Sequence, residues 1–383
     1  MIGRVESRQY PICRARKCSF HTFFLSFRNN VNDLIEIYAT MKYRIMSRGD
    51  PQVVNRKMQG EFVTNLIRQL KFKREDFKVI GSFGGFSGLI DLGNLAIAMN
   101  TDGVGTKTMI AEEAKKYDTI GIDCIAMNVN DALTVGAEPI AFVDYINLKD
   151  IDVDIAKELG TGFNFGAQLS NLTIVGGETS IVPDLVNHID VSGTSLSIVQ
   201  KSQIINGEKI KDGDLIFTLQ SSGLHSNGFT TVRKIIRDNG IDLSSNFPGE
   251  SKKTADILLE PTRIYVREIL DILNIVNIVG MANITGGGIK NLSRMKDMRY
   301  MITDPIEPQN VFKQLMDMGS LTMEQMYEIF NMGMGYVVVI DPESRLDFVN
   351  TLKGRVNLKE IGHVENGSGV EIPSLELKYR GYY

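Results

Sequence analysis

Tryptophan is absent from the 383 residues, and only three cysteines and four histidines occur. Two of the cysteines, Cys13 and Cys18, sit in an atypical N-terminal stretch, which leaves Cys124 alone in the rest of the chain. A disulfide-stapled module and a structural zinc site are therefore excluded, and the cysteine usage fits a reducing, cytoplasmic compartment. Long apolar runs are missing too. The richest, such as Tyr336–Ile340, has the length of a strand, whereas a bilayer span needs about 18 consecutive apolar residues, so no membrane partner is expected. Neither sign of charge dominates: 42 Lys and Arg stand against 46 Asp and Glu, a net charge of −4. Without a basic stripe to track a phosphate backbone, nucleic acid is not expected as a partner. No G-x-S-x-G elbow is present, so hydrolase chemistry of that kind has no support.

What the chain has in excess is glycine, 36 residues, against a usual share of about 7%. Its length is that of two domains of about 150 residues plus a remainder. Residues 1–40 supply part of that remainder. There Arg4, Arg8, Arg14, Arg16, Lys17 and Arg28 face only Glu6, Asp33 and Glu36. Phe20, Phe23, Phe24 and Phe27 follow the basic cluster in faint imitation of a targeting signal, but no small-residue cleavage site comes after them. Recognisable organisation starts at Met41. The expected division is an extension over 1–40, a first domain over 41–200 and a second over 201–383, with the boundary in the polar, turn-rich Lys201–Asp214 segment.

Val54, Met58, Phe62, Leu66, Ile67 and Leu70 recur at helical spacing and predict an amphipathic helix within 50–73. Gly81–Gly88 carries four glycines in eight residues, either a loop that lets backbone approach a ligand or a plain surface loop. Strands are predicted at 95–99, 140–146, 172–175 and 192–199, and helices over 120–136 and 152–169. The second half opens with a strand at 215–219 and a helix at 229–237. Helices near 263–273 and 323–330 and a strand at 336–340 follow. Strands mix with helices throughout, so the class is α/β or α+β.

Four segments carry candidate chemistry. Asp102-Gly103-Val104-Gly105-Thr106-Lys107 offers a carboxylate for Mg²⁺, glycines that expose backbone N–H groups and a cation for a phosphate, without the spacing of a Walker A loop. On the following helix, Asp123 and Asn130 are seven residues apart and nearly aligned, while Asn128 and Asp131 share the adjoining face. These polar residues read either as a solvated face or, with Asp102, as a two-carboxylate Mg²⁺ site. Ser221-Ser222-Gly223-Leu224-His225-Ser226-Asn227-Gly228 precedes a helix whose N-terminus can bind an anion, or is simply a capped loop. The Gly176-Gly177-Glu178-Thr179 run is expected as a turn at a strand's carboxyl end, either where open sheets hold ligands or as a plain turn with an exposed Glu.

Together with Gly136-Ala137-Glu138-Pro139, Leu259–Tyr265, Ile284-Thr285-Gly286-Gly287-Gly288 and Phe330–Gly335, these blocks resemble, in order, those of the aminoimidazole ribonucleotide synthetase (phosphoribosylformylglycinamidine cyclo-ligase) family. The resemblance implies a two-domain ATP-binding synthetase fold with mixed sheets, whose first-half strands form a barrel shared across a homodimer. It also implies ATP-dependent ring closure of formylglycinamidine ribonucleotide, a small-molecule substrate, with ATP and Mg²⁺ as cofactors. Asp102 and Asp131 are expected to hold Mg²⁺, and Lys107 to meet the transferring phosphate. Gly84, Gly85, Ser87, Gly88, Gly103, Gly105 and Thr106 are expected around ATP. Gly176, Gly177, Glu178, Thr179, Ser226 and Asn227 are expected at the substrate, with His225 among the catalytic residues. A small-molecule kinase resembling thiamine monophosphate kinase and a silent nucleotide-binding scaffold are the rival readings. Three departures stand out: Ser180–Asp184 where the family reads Ala-Glu-Met-Pro-Gly, Asn283 where many members have His, and a degraded Tyr43–Asp50 segment.

Overall fold

The computed structural model of the protein describes residues 56–80 and 86–381. The 1–40 extension, the Tyr43–Asp50 segment, and Gly84 and Gly85 lie outside the described residues. The described part of the predicted helix, α1 (Arg56–Ile67), ends before Leu70, and Phe62 and Leu66 on it are exposed.

The first half is built on six strands: β1 (Val79–Ile80), β2 (Gly88–Leu92), β3 (Leu95–Gly103), β4 (Glu138–Leu148), β5 (Thr173–Ile181) and β6 (Asp190–Gln200). Their order is β1-β2-β3-β6-β4-β5, antiparallel except for the β4–β5 pair. Helices α2 (Lys107–Ala114), α3 (Ile120–Leu133) and α4 (Val153–Ser170) connect them. Along β6 the buried positions Val191, Gly193, Ser195, Ser197 and Val199 alternate with half-exposed ones, so one face of this sheet is covered and the other is open. The open face carries Ile90, Leu92, Met99, Val143 and Tyr145, all exposed.

The second half contains β7 (Leu215–Gln220), α5 (Phe229–Asp238), α6 (Thr254–Leu258), α7 (Val266–Ile272), β8 (Ile278–Asn283), β9 (Arg299–Ile302), α8 (Asn310–Gly319), α9 (Met323–Ile329), β10 (Met334–Ile340), α10 (Arg345–Leu352), β11 (Leu358–Glu365), β12 (Gly369–Ile372) and β13 (Leu377–Tyr379). The strands form a seven-stranded mixed sheet of order β13-β12-β9-β11-β7-β10-β8. Every residue of β8 and β10 is buried, which matches their near-continuous apolar sequence. Although β8 ends the sheet, α3 of the first half packs against it.

Helix α3 is the shared element. All 14 of its residues are buried, because it faces its own sheet and α4 on one side and α7 and β8 on the other. The crossing with α4 is close because it is made on glycines: a Cβ on Gly121 would collide with the backbone of Gly162 and Phe163. Substituting Gly121→Ala is expected to cost about 2 kcal/mol by overpacking. In contrast, Gly160→Ala, in open space on the outer face of α4, gains about 0.5–1 kcal/mol from reduced chain entropy. Denaturant unfolding of the two variants checks the opposite signs.

Candidate functional site

Lys107 opens α2 immediately after Gly105, whose φ of +70° turns the chain, and Thr106. Its side chain enters the interior. The ammonium lies 3.0 and 2.9 Å from the two carboxylate oxygens of Asp123, and donates to the carbonyl oxygens of His225 at 3.1 Å and Glu260 at 2.7 Å. Both side chains are fully buried. Burial pushes the Lys107 amine down from its ordinary range, and the Asp123 charge opposes that shift. Asp123 Oδ1 also accepts from the Thr262 amide at 2.7 Å, the Thr262 hydroxyl at 2.6 Å and the Ser226 hydroxyl at 3.1 Å. One buried ion pair thus holds two loops of the second half against the first.

The remaining polar residues of α3 extend this seam. Asn130 donates to the Arg263 carbonyl at 2.8 Å and accepts from the Tyr265 amide at 3.1 Å, so Asp123 and Asn130, aligned along the helix, clasp one segment. On the adjoining face Asn128 donates to the carbonyl of Asp102 at 3.2 Å, and Asp131 Oδ1 accepts from Asn283 Nδ2 at 2.8 Å. Asn283 ends β8 just before the Thr285–Gly288 turn. The neutral amide found in place of histidine therefore fastens one of the two expected metal ligands.

Three side chains and a backbone constraint shape the Ser221–Gly228 loop. Ser222 Oγ donates to the Pro261 carbonyl at 2.6 Å, Gln309 Nε2 to that of Ser221 at 2.6 Å and Asn331 Nδ2 to that of Gly223 at 2.9 Å. His225 has φ +59°, a left-handed conformation that non-glycine residues seldom adopt. That conformation delivers its carbonyl to Lys107 and its ring to the loop interior. The Ser222 amide donates to His225 Nε2 at 3.3 Å, which leaves the ring proton on Nδ1. Burial, with Lys107 and Arg263 adding repulsion, pushes His225 down to about 3. Burial thus favours the neutral imidazole near pH 7. Gly335 is glycine because a Cβ there would collide with the Tyr265 hydroxyl and crowd His225 Cε1.

The structure brings most expected site residues to this seam, but in unequal roles. Asp102 lies at the end of β3, with Oδ1 accepting from the Gly103 amide at 2.7 Å. The Thr106 hydroxyl lies 3.3 Å from that of Thr230. Ser87 donates to Asn100 Oδ1 at 2.7 Å, and Gly88 begins β2. Lys107 is not at an open surface, and Ser226 is committed to Asp123 and to Thr262 at 2.9 Å. Asn227 is different: only 4% exposed, it has both amide atoms buried without a hydrogen-bond partner among the described residues. The Gly176–Thr179 turn is corrected, since β5 runs through these residues to Ile181 and leaves all four exposed. A bulge opposite Phe142 and Val143 lets the strand continue past Val175. Gly177 is needed there because a Cβ would lie 2.5 Å from the carboxylate of Asp144, whose pKa burial raises.

Asn128 bears on metal binding: its Oδ1, fully buried, has no hydrogen-bond partner among the described residues. An orphaned hard oxygen beside the Asp102 backbone suits Mg²⁺, which takes one or two carboxylates and completes its shell with water and phosphate. Sequence reasoning named Asp123 on a polar helical face but missed its pairing with Lys107, and it missed the contacts of Thr262 and Asn283, because nothing local to these residues reveals their partners.

Two mixed-sheet halves joined along a buried polar helix, with glycine-containing loops converging on it, define a two-domain α/β ligand-binding protein. Two family models match in series: AIR synthase related protein, N-terminal domain, over residues 84–199, and AIR synthase related protein, C-terminal domain, over residues 211–373. The chain belongs to the AIR synthase related family. It is 68% identical over 331 residues to the phosphoribosylformylglycinamidine cyclo-ligase of Thermoplasma volcanium, covering 86% of this chain and 98% of that one. The Thermoplasma acidophilum enzyme of the same name is 65% identical over 338 residues, covering 88% and 100%. Among solved structures, AaThiL complexed with AMPPCP and TMP aligns with TM-score 0.60 over 85% of this chain and 97% of its own, at 16% identity. The thiamine-monophosphate kinase of Stenotrophomonas maltophilia gives 0.56 over 82% and 96%, at 17% identity. The likeness at these identities is one of fold.

The His225 environment carries a sign. Its folded pKa is depressed, so below about pH 6.5 the unfolded state takes up a proton that the folded state refuses, and stability falls by about 1.4 kcal/mol per pH unit toward about pH 3. His225→Asn, which tolerates the left-handed backbone, is expected to flatten this slope in denaturant melts between pH 7 and 5.

Proposed function

We propose that the chain catalyses ATP-dependent closure of formylglycinamidine ribonucleotide to aminoimidazole ribonucleotide, with release of ADP and phosphate. The observation that carries this reading is identity of 68% and 65% to relatives named for that cyclo-ligase activity, over 98% and 100% of their lengths. The chemical obstacle is the formamide oxygen, a poor leaving group. Its attack on the γ-phosphorus of ATP breaks the bond to ADP and converts the oxygen into a phosphate ester. The amidine nitrogen then adds to the activated carbon and gives its proton to solvent, and phosphate departs with the C–O bonding electrons. Little covalent chemistry falls to the protein, so positioning and charge neutralisation dominate.

In this reading Asp102 and Asp131 hold Mg²⁺ with Asn128 Oδ1 beside them, and Asn283 orients Asp131. When bound, Mg²⁺ offsets charge on the phosphates. The unpaired amide of Asn227 meets a polar group of the substrate just before α5. His225 contributes as a fixed neutral hydrogen-bonding group. Lys107 acts through the two loops that it ties, as a positioning residue.

The open face of the first sheet, with Ile90, Met99, Val143 and Tyr145 exposed, is larger in apolar content than a solvated face calls for and supports a homodimer joined through it. The described residues contain no helix long and apolar enough to cross a membrane, and the cysteine usage supports a cytoplasmic setting. The kinase reading rests on fold likeness alone.

ADP release from the purified full chain, measured with and without formylglycinamidine ribonucleotide, separates the readings. A cyclo-ligase releases ADP in step with ring formation; ADP release without the ribonucleotide, or none at all, contradicts it. Asp131→Asn is expected to lower turnover by about 10²- to 10³-fold, and wild-type turnover in that variant overturns the metal assignment.

A further inference from the structure

Alongside the seam, α2 of the first half and α5 of the second wall a cleft of about 490 Å³. Its floor is apolar, formed by Ile110, Ile236 and Ile241. Its rim is cationic: Arg233, Lys234 and Arg237 all line it, and Glu113 is the one acid among the lining residues. Arg233 and Arg237 are one helical turn apart and share a face of α5. Among the described residues Arg233 forms no ion pair, and Arg237 contacts only its exposed sequence neighbour Asp238, at 3.2 Å. Three cations over an apolar floor, in a chain of net charge −4, are a local concentration that the composition does not require. The cleft also adjoins the site: Thr230 lines it, and its hydroxyl is 3.3 Å from that of Thr106 in the Asp102–Lys107 loop.

We propose that this cleft binds an organic phosphomonoester, with the phosphate held by Arg233 and Arg237 and the organic body on the isoleucine floor. Paired guanidinium groups suit a phosphate dianion, since each presents a planar fork of donors. The volume suits one small molecule and is too small for a polymer. Two sources share this chemistry. One is the phosphate of the ribonucleotide substrate, and that branch rests on the cyclo-ligase reading. The other is a separate mononucleotide, whose binding is transmitted through Thr230 to the Asp102–Lys107 loop.

The test uses the full chain, Arg233→Ala/Arg237→Ala, and the charge-preserving Arg233→Lys/Arg237→Lys, with thermal melts to establish that each is folded. In the kinetic arm, a substrate phosphate in the cleft raises KM for formylglycinamidine ribonucleotide at least tenfold in the alanine variant, with kcat and the KM for ATP within about twofold of wild type. In the binding arm, the protein is saturated with a non-hydrolysable ATP analogue and dialysed against AMP. A separate mononucleotide site then shows as one further AMP per chain, lost with alanine and at least partly kept with lysine. Either result supports the cleft and names its source. Unchanged KM together with no AMP binding sensitive to the alanine pair overturns the proposal. If the wild-type chain fails to turn over the ribonucleotide, the cyclo-ligase reading falls, and the AMP arm still decides the cleft.

Discussion

The buried pair of Lys107 and Asp123 is the constraint on which the rest of the site depends. A charge moved from water to a protein interior costs several kcal/mol even after relaxation, and this is offset only when the partner geometry is good and the remaining donors and acceptors are satisfied. The offset is made here by drawing in groups from the other half of the chain: the carbonyls of His225 and Glu260 for the ammonium, and Thr262 and Ser226 for Asp123 Oδ1, while Oδ2 has only its charge contact with Lys107 among the described residues. The two halves cannot separate without exposing or orphaning charge. The loops that carry Asn227 and the Leu259–Tyr265 segment are therefore fixed in place by electrostatics and not by apolar packing alone.

Helix α3 makes this arrangement possible. Its small residues let it lie close to α4, and its apolar residues fill the interior on both sides. Its four polar side chains are then left to reach different partners: Asp123 and Asn130 toward the second half's loop, Asn128 toward the end of β3, Asp131 toward β8. A helix buried all round is normally apolar all round. Asp123, Asn130 and Asp131 are tolerated because each finds a partner across the seam, while Asn128 donates to the end of β3 within its own half and keeps a buried oxygen without a partner among the described residues.

Much of the fold was legible in the sequence, and the reasons differ by element. The strands β7 and β10 and the helices α4 and α5 have strong periodicity or long apolar runs, and the pattern alone suffices for them, whereas β8, six residues interrupted by Gly280, carries no such pattern and was not predicted. The Gly176–Thr179 strand was misread as a turn because a glycine pair punctuates sequence in the same way whether it forms a turn or, as at Gly177, lies against Asp144 across a sheet. Within the site, residue types and spacing offered Asp102 and Asp131 as a carboxylate pair, and the family resemblance added Asn227. They could not distinguish a lysine that meets phosphate from one that meets a carboxylate 16 residues away, because burial is a property of the whole assembly. For His225 the sequence supplied an ionisable ring, and only the fold supplies the burial that keeps it neutral.

The claim that Lys107 and Asp123 act as one fastening, with Lys107 remote from phosphate, is tested most directly by a double-mutant cycle of Lys107→Met and Asp123→Asn, read by denaturant unfolding and by KM for ATP. The account predicts that each single change costs about 3–5 kcal/mol, that the double variant is no less stable than the worse single, and that the pair therefore couples strongly. Additive and small stability losses, with the Lys107→Met defect confined to a raised KM for ATP and indifferent to Asp123, would contradict it.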